Sequence, residues 1–327
     1  MDIISKIREP LRDDMLKYDE FMRGALSSDS RFVGEIIDYI LSSRGKGLRP
    51  MLVMLLAGIN SRTGLLSKRT YMGAMLVEMV HTASLVHDDV VDDADTRHGR
   101  ASVNSRWNTR VSVLAGDYIL ARAFAAGMES GQIDIVSYII ATVSSMAEGE
   151  LMQMDANEKR EMTRELYLDI IYKKTATLLG VSCGVGAMSA GAGSREVAIA
   201  REIGINLGMA FQIKDDILDY APEEQTGKPF CADLREKKIT LPLLTILEKS
   251  DALQKRLIMG RIDCVDTDSG QIDHIRDLVI KEGGLAAAEE VMHGYIDKAR
   301  AFIRDFTDSQ YKDSLMLLCD YVGVREN

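Results

Sequence analysis

Apolar residues recur every three to four positions along most of the chain, the period of a helix with one buried face. They seldom alternate with polar residues as half-buried strands require. The pattern predicts helices over residues 32–43, 69–93, 111–128, 133–154, 164–190 and 196–220, and a helical tail over 271–322. Pro50 and Pro242 each sit where a first helical turn accepts a proline. Between residues 221 and 238 the pattern breaks at Pro222, Gly227 and Pro229, which predicts a loop. The first twenty-two residues are charge-rich and hold no apolar signal core. No low-complexity linker or solenoid repeat intervenes, so one helical domain over residues 1–327 is the simplest organisation.

Composition sharpens this all-α reading. With five prolines in 327 residues, long stretches of Ala, Leu, Met, Glu and Lys run unbroken, and these residues lose little rotamer freedom in a helix. A hydrophobic fraction of 46% supplies a large core. The net charge of −10 argues against a nucleic-acid partner, which needs a basic surface. It does not exclude anionic substrates, because a few cations inside a pocket outweigh distant surface charge. Cys183, Cys231, Cys264 and Cys319 form no CxxC pair and read as reduced thiols of a cytoplasmic protein. The longest uncharged stretch, residues 175–194, is rich in Gly, Ala and Ser and reads as a buried helix, so no transmembrane segment is expected.

Two helices end in acids. Asp88-Asp89-Val90-Val91-Asp92 recurs in kind as Asp215-Asp216-Ile217-Leu218-Asp219, each a DDxxD followed by a polar loop. Residues four apart share a helix face, so Asp88 and Asp92 point together, as do Asp215 and Asp219. Like charges at that spacing repel, and acids at a helix C-terminus oppose its dipole. A divalent cation removes both costs, and hard oxygen ligands select Mg²⁺, which bridges to substrate phosphates. One such cluster reads equally well as a solvated acidic helix end; two matching clusters favour metal. Neither has the loop spacing or glycine of an EF-hand.

Cations accompany the acids in sequence. Lys46 and Arg49 lie three apart in Gly45-Lys46-Gly47-Leu48-Arg49-Pro50. Arg97, His98 and Arg100 follow the first cluster, Lys174-Thr175 lies mid-helix, and Lys228 and Lys238 follow the second cluster. Each alone reads as a surface charge; together with the acids they compose a diphosphate site. His81 lies two turns before Asp88 on roughly the same face, where it is either a core histidine or a phosphate donor.

These segments resemble the trans-isoprenyl (polyprenyl) diphosphate synthases, most closely the long-chain members. Residues 78–93 resemble their first aspartate-rich region and residues 211–219 the second. Gly45-Lys46-xx-Arg49-Pro50 resembles their isopentenyl diphosphate motif. Thr226-Gly227-Lys228-Pro229 and Lys238-Ile239-Thr240-Leu241-Pro242 resemble the segments after the second acidic region, and the likeness covers roughly residues 40–245. The resemblance implies an isoprenoid synthase fold, a helical bundle around a deep central cavity, and a homodimer. It implies three Mg²⁺ ions held by the acidic clusters and an allylic diphosphate. Asp88, Asp92 and Asp215 match direct ligands, and Asp89, Asp216 and Asp219 direct or water-mediated ones. Lys46, Arg49 and His81 match the isopentenyl diphosphate site; Arg97, Lys174, Lys228 and Lys238 match the allylic clamp. The family carries a second arginine where this chain has His98, which normally helps hold isopentenyl diphosphate.

The implied reaction is ionisation of an allylic diphosphate and attack by the double bond of isopentenyl diphosphate. The oxygen dipoles of Thr175 and Gln212 would steady the cation, and the released diphosphate would serve as base. A terpene cyclase or a squalene-synthase-like enzyme has no need of the Lys46–Arg49 motif, and a non-catalytic subunit would be expected to lose acids. A helical scaffold with incidental acids is the blandest alternative. Ala83 and Ser84, one turn before Asp88, are small where short-chain members often carry aromatics. With Val80 and Leu76 behind them, and Phe124 or Met128 as a candidate floor, they predict an open tunnel and a product of about C30 to C40, at one isoprene unit per helical turn. Ala83 and Ser84 also suit plain close packing of two helices, and a short-chain product is the alternative.

Overall fold

The computed structural model describes residues 2–43, 45–97, 99–222, 231–265, 267–268 and 270–325. Its contacts divide the chain into two compact units built from separated segments. The first comprises Met1–Val143, Leu178–Gly204 and Phe306–Leu317; the second comprises Ser144–Thr177, Ile205–Asp305 and Leu318–Asn327.

The first unit begins with α1 (Ile3–Arg8), a 3₁₀ turn (Glu9–Leu11), α2 (Arg12–Ala25), α3 (Arg31–Ser42), α4 (Leu48–Asn60) and α5 (Lys68–Val91). A two-residue hairpin follows, β1 (Thr96–Arg97) pairing antiparallel with β2 (Arg100–Ala101), then α6 (Val103–Arg106) and α7 (Thr109–Glu129). The start of α8 (Ile133–Lys159), most of α10 (Thr177–Ser189), and the start of α11 (Ser194–Leu218) and of α17 (Gln310–Val324) complete the unit. Helix α5 is its axis and packs against α2, α4 and α7. It starts at Ser67, whose hydroxyl and that of Thr70 reciprocally cap the first turn, fixing the helix entry. Every residue of α4 from Pro50 to Gly58 is buried, as its unbroken apolar run requires. Helix α10 reaches it closely: a Cβ on Gly186 would lie 2.3 Å from the Val53 carbonyl oxygen, so only glycine fits. The uncharged stretch is thus a core helix, as its small residues suggested.

The second unit holds the end of α8, α9 (Arg164–Ile171), a π-helical turn (Tyr172–Ala176), the end of α11, and α12 (Ala232–Arg235). It continues through α13 (Leu241–Lys249), α14 (Ala252–Asp263), α15 (Gly270–Lys281), α16 (Gly284–Arg304) and the end of α17. Helix α13 is buried from Leu241 to Leu247, opens with Pro242 in its first turn, and packs on α16.

The structure departs from the sequence pattern in four places. The charged N-terminus is helical, because Ile7, Leu11, Tyr18 and Met22 form a buried stripe beneath its charges. Residues 164–190 are not one regular helix but are interrupted by the π turn. The tail is three helices, separated at Gly283 and after Arg304, and residues 252–263 add a helix of their own. The hairpin is too short for strand alternation to betray it. Among the described residues one helix, Thr109–Glu129, is long and apolar enough to cross a membrane. It packs along α5 and leaves Val113, Leu114 and Met128 exposed.

Candidate active site

The first acidic cluster closes α5. The Asp92 amide bonds back to the Asp88 carbonyl, Asp93 takes the left-handed conformation at φ 46°, and the chain turns into the hairpin. Gly99, at φ 74°, supports the reversal, which brings Arg97 back against the helix it has just left. Arg97 donates from Nε at 2.8 Å and from Nη2 at 2.6 Å to Asp89 Oδ1. Asp89 is buried at 3% exposure, whereas Asp88 is half-buried and Asp92 exposed. The three carboxylates therefore differ. Asp88 and Asp92 keep the shared face that their spacing requires, and Asp89 is turned into the protein against Arg97.

Farther back on α5, His81 is half-buried and accepts at its carbonyl from the Ser84 hydroxyl at 2.9 Å. Ala83, Val80 and Leu76 are buried at 1%, 2% and 1% exposure. Leu76 leans on α7, where a Cβ on Gly127 would meet its Cδ1 at 3.2 Å. Phe124 on α7 is half-buried, while Met128 is 52% exposed and so points away from any buried floor. The Lys46–Arg49 segment enters α4 through Gly47, left-handed at φ 64°, with Lys46 exposed and Arg49 half-buried.

The second cluster closes α11, and again each acid is held differently. Asp215 Oδ1 accepts from Arg325 Nη2 at 2.7 Å; the same nitrogen bonds the Phe211 carbonyl at 2.8 Å, and the guanidinium stacks 3.7 Å from the Phe211 ring centre. Asp216 is 3% exposed and accepts from the Tyr167 hydroxyl at 2.5 Å and the Gln212 amide at 3.0 Å. Asp219 caps α12, accepting from the Ala232 and Asp233 amides at 2.8 and 3.2 Å. Burial, together with the carboxylate of Asp233, pushes the Asp216 carboxyl well above its usual value; the Tyr167 and Gln212 donors pull it part of the way back. Burial likewise raises Asp233, against the pull of Lys238 and Lys174. Sequence reasoning missed Tyr167, Asp233 and Arg325. None lies in either DDxxD, and Arg325 stands 110 residues from its partner.

The π turn presents Lys174 and Thr175, and two glycines let it form. A Cβ on Gly149 of α8 would lie 2.9 Å from the Lys174 amide nitrogen, and one on Gly208 of α11 would lie 2.5 Å from Ala176 Cα. Such π insertions concentrate at functional sites. Lys174 Nζ pairs with Glu150 at 2.6 Å and with the Gln153 carbonyl oxygen at 3.0 Å. The Thr175 hydroxyl donates to Gln212 Oε1 at 2.8 Å, so Thr175, Gln212, Asp216 and Tyr167 form one hydrogen-bonded chain. Lys238 Nζ pairs with Glu236 at 2.5 Å. His98 and Lys228, with Thr226, Gly227 and Pro229, lie outside the described residues.

Among the described residues no group of three or more His, Cys, Asp or Glu side chains converges into a protein cage for a metal. Mg²⁺ takes one or two carboxylates and completes its shell with waters and substrate phosphates. The donor set here, carboxylate oxygen throughout, fits such an ion.

Comparison with known proteins covers nearly the full chain. The family model of polyprenyl synthetases matches residues 30–279. The octaprenyl diphosphate synthase of Haemophilus influenzae is 34% identical over 328 residues, spanning 100% of this chain and 97% of that protein. The crystal structure of a polyprenyl synthase from Caulobacter crescentus, complexed with calcium and isoprenyl diphosphate, superposes with a TM-score of 0.91 at 30% identity, covering 99% of this chain and 98% of that one. A decaprenyl diphosphate synthase from Rhodobacter capsulatus superposes with a TM-score of 0.90 at 32% identity, covering 99% of each chain.

Proposed function

The chain belongs to the polyprenyl synthetase family and has its all-helical isoprenoid synthase fold, and from that premise we propose how its residues divide the work. It is a prenyltransferase that condenses isopentenyl diphosphate head to tail with an allylic prenyl diphosphate to give a long all-trans polyprenyl diphosphate. The observation that carries the reading is the retention of both DDxxD clusters, each closing a helix, in a chain that matches long-chain synthases along its whole length. The family match spans segments of both compact units, which supports treating residues 1–327 as one catalytic domain.

Asp88, Asp92 and Asp215 are the proposed direct Mg²⁺ ligands. Bound there, Mg²⁺ would supply positive charge against the departing diphosphate. The middle aspartates hold the clusters in shape: Asp89 anchors Arg97 beside the first, and Asp216 ties α11 to Tyr167 and, through Gln212, to Thr175. Arg97, Lys174, Lys228 and Lys238 are the proposed donors to the allylic diphosphate, and Lys46, Arg49 and His81 those to isopentenyl diphosphate. Lys174 and Lys238 already face carboxylates, so substrate must compete for them. Because Gln212 Oε1 accepts from Thr175 and its amide donates to Asp216, the orientation of its side chain is fixed before substrate arrives, a form of preorganisation. No carboxylate base is needed, since the released diphosphate can take the proton.

Two further parts of the reading concern context. The exposed apolar side chains Val113, Leu114 and Met128 of α7 and Ile133 and Ile140 of α8 support a homodimer that covers this face. That Cys183, Cys231, Cys264 and Cys319 stand in no disulfide supports a reducing, cytoplasmic setting. Incubation with Mg²⁺, isopentenyl diphosphate and a farnesyl or geranyl primer, read by product mass, tests the function. A series of all-trans products is expected, ending at about C30 to C40 on the rule of one isoprene unit per helical turn. A cyclised product, or none, overturns the reading.

A further inference from the structure

Arg8 closes α1 between two side chains, Ile7 and Leu11, that are 0% exposed, so the point from which it reaches is fixed. Its Nη2 donates to the backbone carbonyl of Lys46, thirty-eight positions along the chain. The same nitrogen lies over Gly47, where a Cβ would stand 3.8 Å from it. Gly47 provides the first carbonyl of the α4 ladder, accepting from the Met51 amide at 3.2 Å. The Lys46 carbonyl therefore lies ahead of the ladder, and an outside cation holds it. Packing gives little help: a cavity of about 520 Å³ lies against Gly45 and Gly47, bounded also by Arg8, Tyr18, Asp19 and Asp38. A second arginine braces the approach to this segment. Arg100 Nη1 donates to the Ser42 and Ser43 hydroxyls at 2.6 and 3.1 Å, with its guanidinium 4.6 Å over the Tyr39 ring.

We propose that Arg8 is a positioning residue for isopentenyl diphosphate: by fixing the Lys46 carbonyl beside a cavity, it sets the backbone from which the Lys46 ammonium reaches the diphosphate. The inference rests on the assignment of Lys46 to that substrate. Lys46 is exposed and its side chain long, so binding must order it. A backbone already held in place removes part of that cost.

Steady-state kinetics in both substrates, with circular dichroism on the same samples, test the proposal in Arg8→Gln, Arg8→Lys and Lys46→Ala, and in double variants that combine Lys46→Ala with each Arg8 substitution. Loss of one charge-assisted hydrogen bond is expected to raise the KM for isopentenyl diphosphate about tenfold in Arg8→Gln. The KM for the allylic substrate and kcat should hold. Arg8→Lys keeps one donor and should raise it only about two- to threefold. Because Arg8 acts through Lys46, the double variants should be no worse than Lys46→Ala alone. An unchanged KM in Arg8→Gln, additive effects in the double variants, or a parallel rise for both substrates with loss of helical signal overturns the proposal. If Lys46→Ala leaves the KM unchanged, the assignment of the loop itself fails and the proposal falls with it. Should Arg8→Gln not fold, the smaller rise in Arg8→Lys, and its disappearance in the Lys46→Ala background, decide the matter.

Discussion

Asp216→Asn should stabilise the fold. Asp216 is 3% exposed and meets only neutral donors, the Tyr167 hydroxyl and the Gln212 amide, while Asp233 adds like charge. Burial without a cationic partner makes the carboxylate form costly. Asparagine has nearly the same volume and carries no charge to desolvate. The folded-state pKa of Asp216 is raised above the unfolded value of about 3.9. The contribution of this group to wild-type stability is therefore complete below that pH and is lost as pH rises through the folded value. In urea unfolding with a chelator present, Asp216→Asn should exceed the wild type at pH 8 by about 0.5–2 kcal/mol, the size typical of relieving a functional site. The advantage should shrink as pH falls through the folded value and vanish toward about pH 3, below the unfolded value, where the wild-type carboxyl is protonated in both states. Adding Mg²⁺ with inorganic diphosphate should stabilise both proteins by ligand linkage, since the proposed direct ligands are unchanged. A variant less stable than wild type at pH 8 in chelator, or a difference that does not change with pH, would refute the reasoning.

Three other outcomes follow from the same structure. Asp88→Ala and Asp215→Ala should each lower turnover by more than about a hundredfold with unchanged circular dichroism, as loss of a charge-stabilising group does; near-normal activity in both would remove the metal assignment. Ala83→Phe should shorten the product, read by mass spectrometry. Ala83 is 1% exposed, so if its surroundings are solid core and not a tunnel, the same variant instead loses about 1–3 kcal/mol to overpacking with product length unchanged. Cys264 alone should react with an aromatic disulfide reagent at pH 8 in the folded protein. Burial pushes the Cys231 and Cys319 thiols up to about 12 and encloses Cys183, so modification of more than one thiol without denaturant would contradict the packing.

Much of the fold was written locally. The long apolar periods that predicted residues 69–93 and 196–220 became α5 and α11, with their acids at the ends. The N-terminal stripe of Ile7, Leu11, Tyr18 and Met22 was also present in the sequence, but dense charges on the other face hid it. The π turn had no local signature, because it depends on Gly149 and Gly208 of two other helices. The acids of the site were legible as a repeated motif, and their spacing predicted which pairs share a face. Their partners were not. Tyr167 stands 49 residues from Asp216 and Arg325 stands 110 from Asp215, so only the fold brings them together.

Helix geometry explains why the two clusters agree where they do and diverge elsewhere. Successive residues turn by roughly 100°, so a first aspartate that faces outward with the fifth obliges the second to point into the packing. That is the arrangement in both: Asp89 and Asp216 are each 3% exposed, and Asp88 and Asp215 are not buried. The backbone fixes the orientation, but not what the buried acid finds there. The hairpin folds Arg97 onto Asp89, supplying a cation from eight residues away. For Asp216, α9 and α11 give a phenol and an amide. The repeat is therefore one of geometry and not of electrostatics. In the first cluster the middle aspartate brings positive charge beside the proposed metal ligands, whereas in the second it holds neutral partners in a network that reaches Thr175. A sequence in which the two motifs look interchangeable thus encodes two different supports for the same proposed ion chemistry. Exchanging the middle residues' partners, with Arg97→Gln in one unit or Tyr167→Arg in the other, would not restore equivalence, because each pocket is shaped for the partner it has.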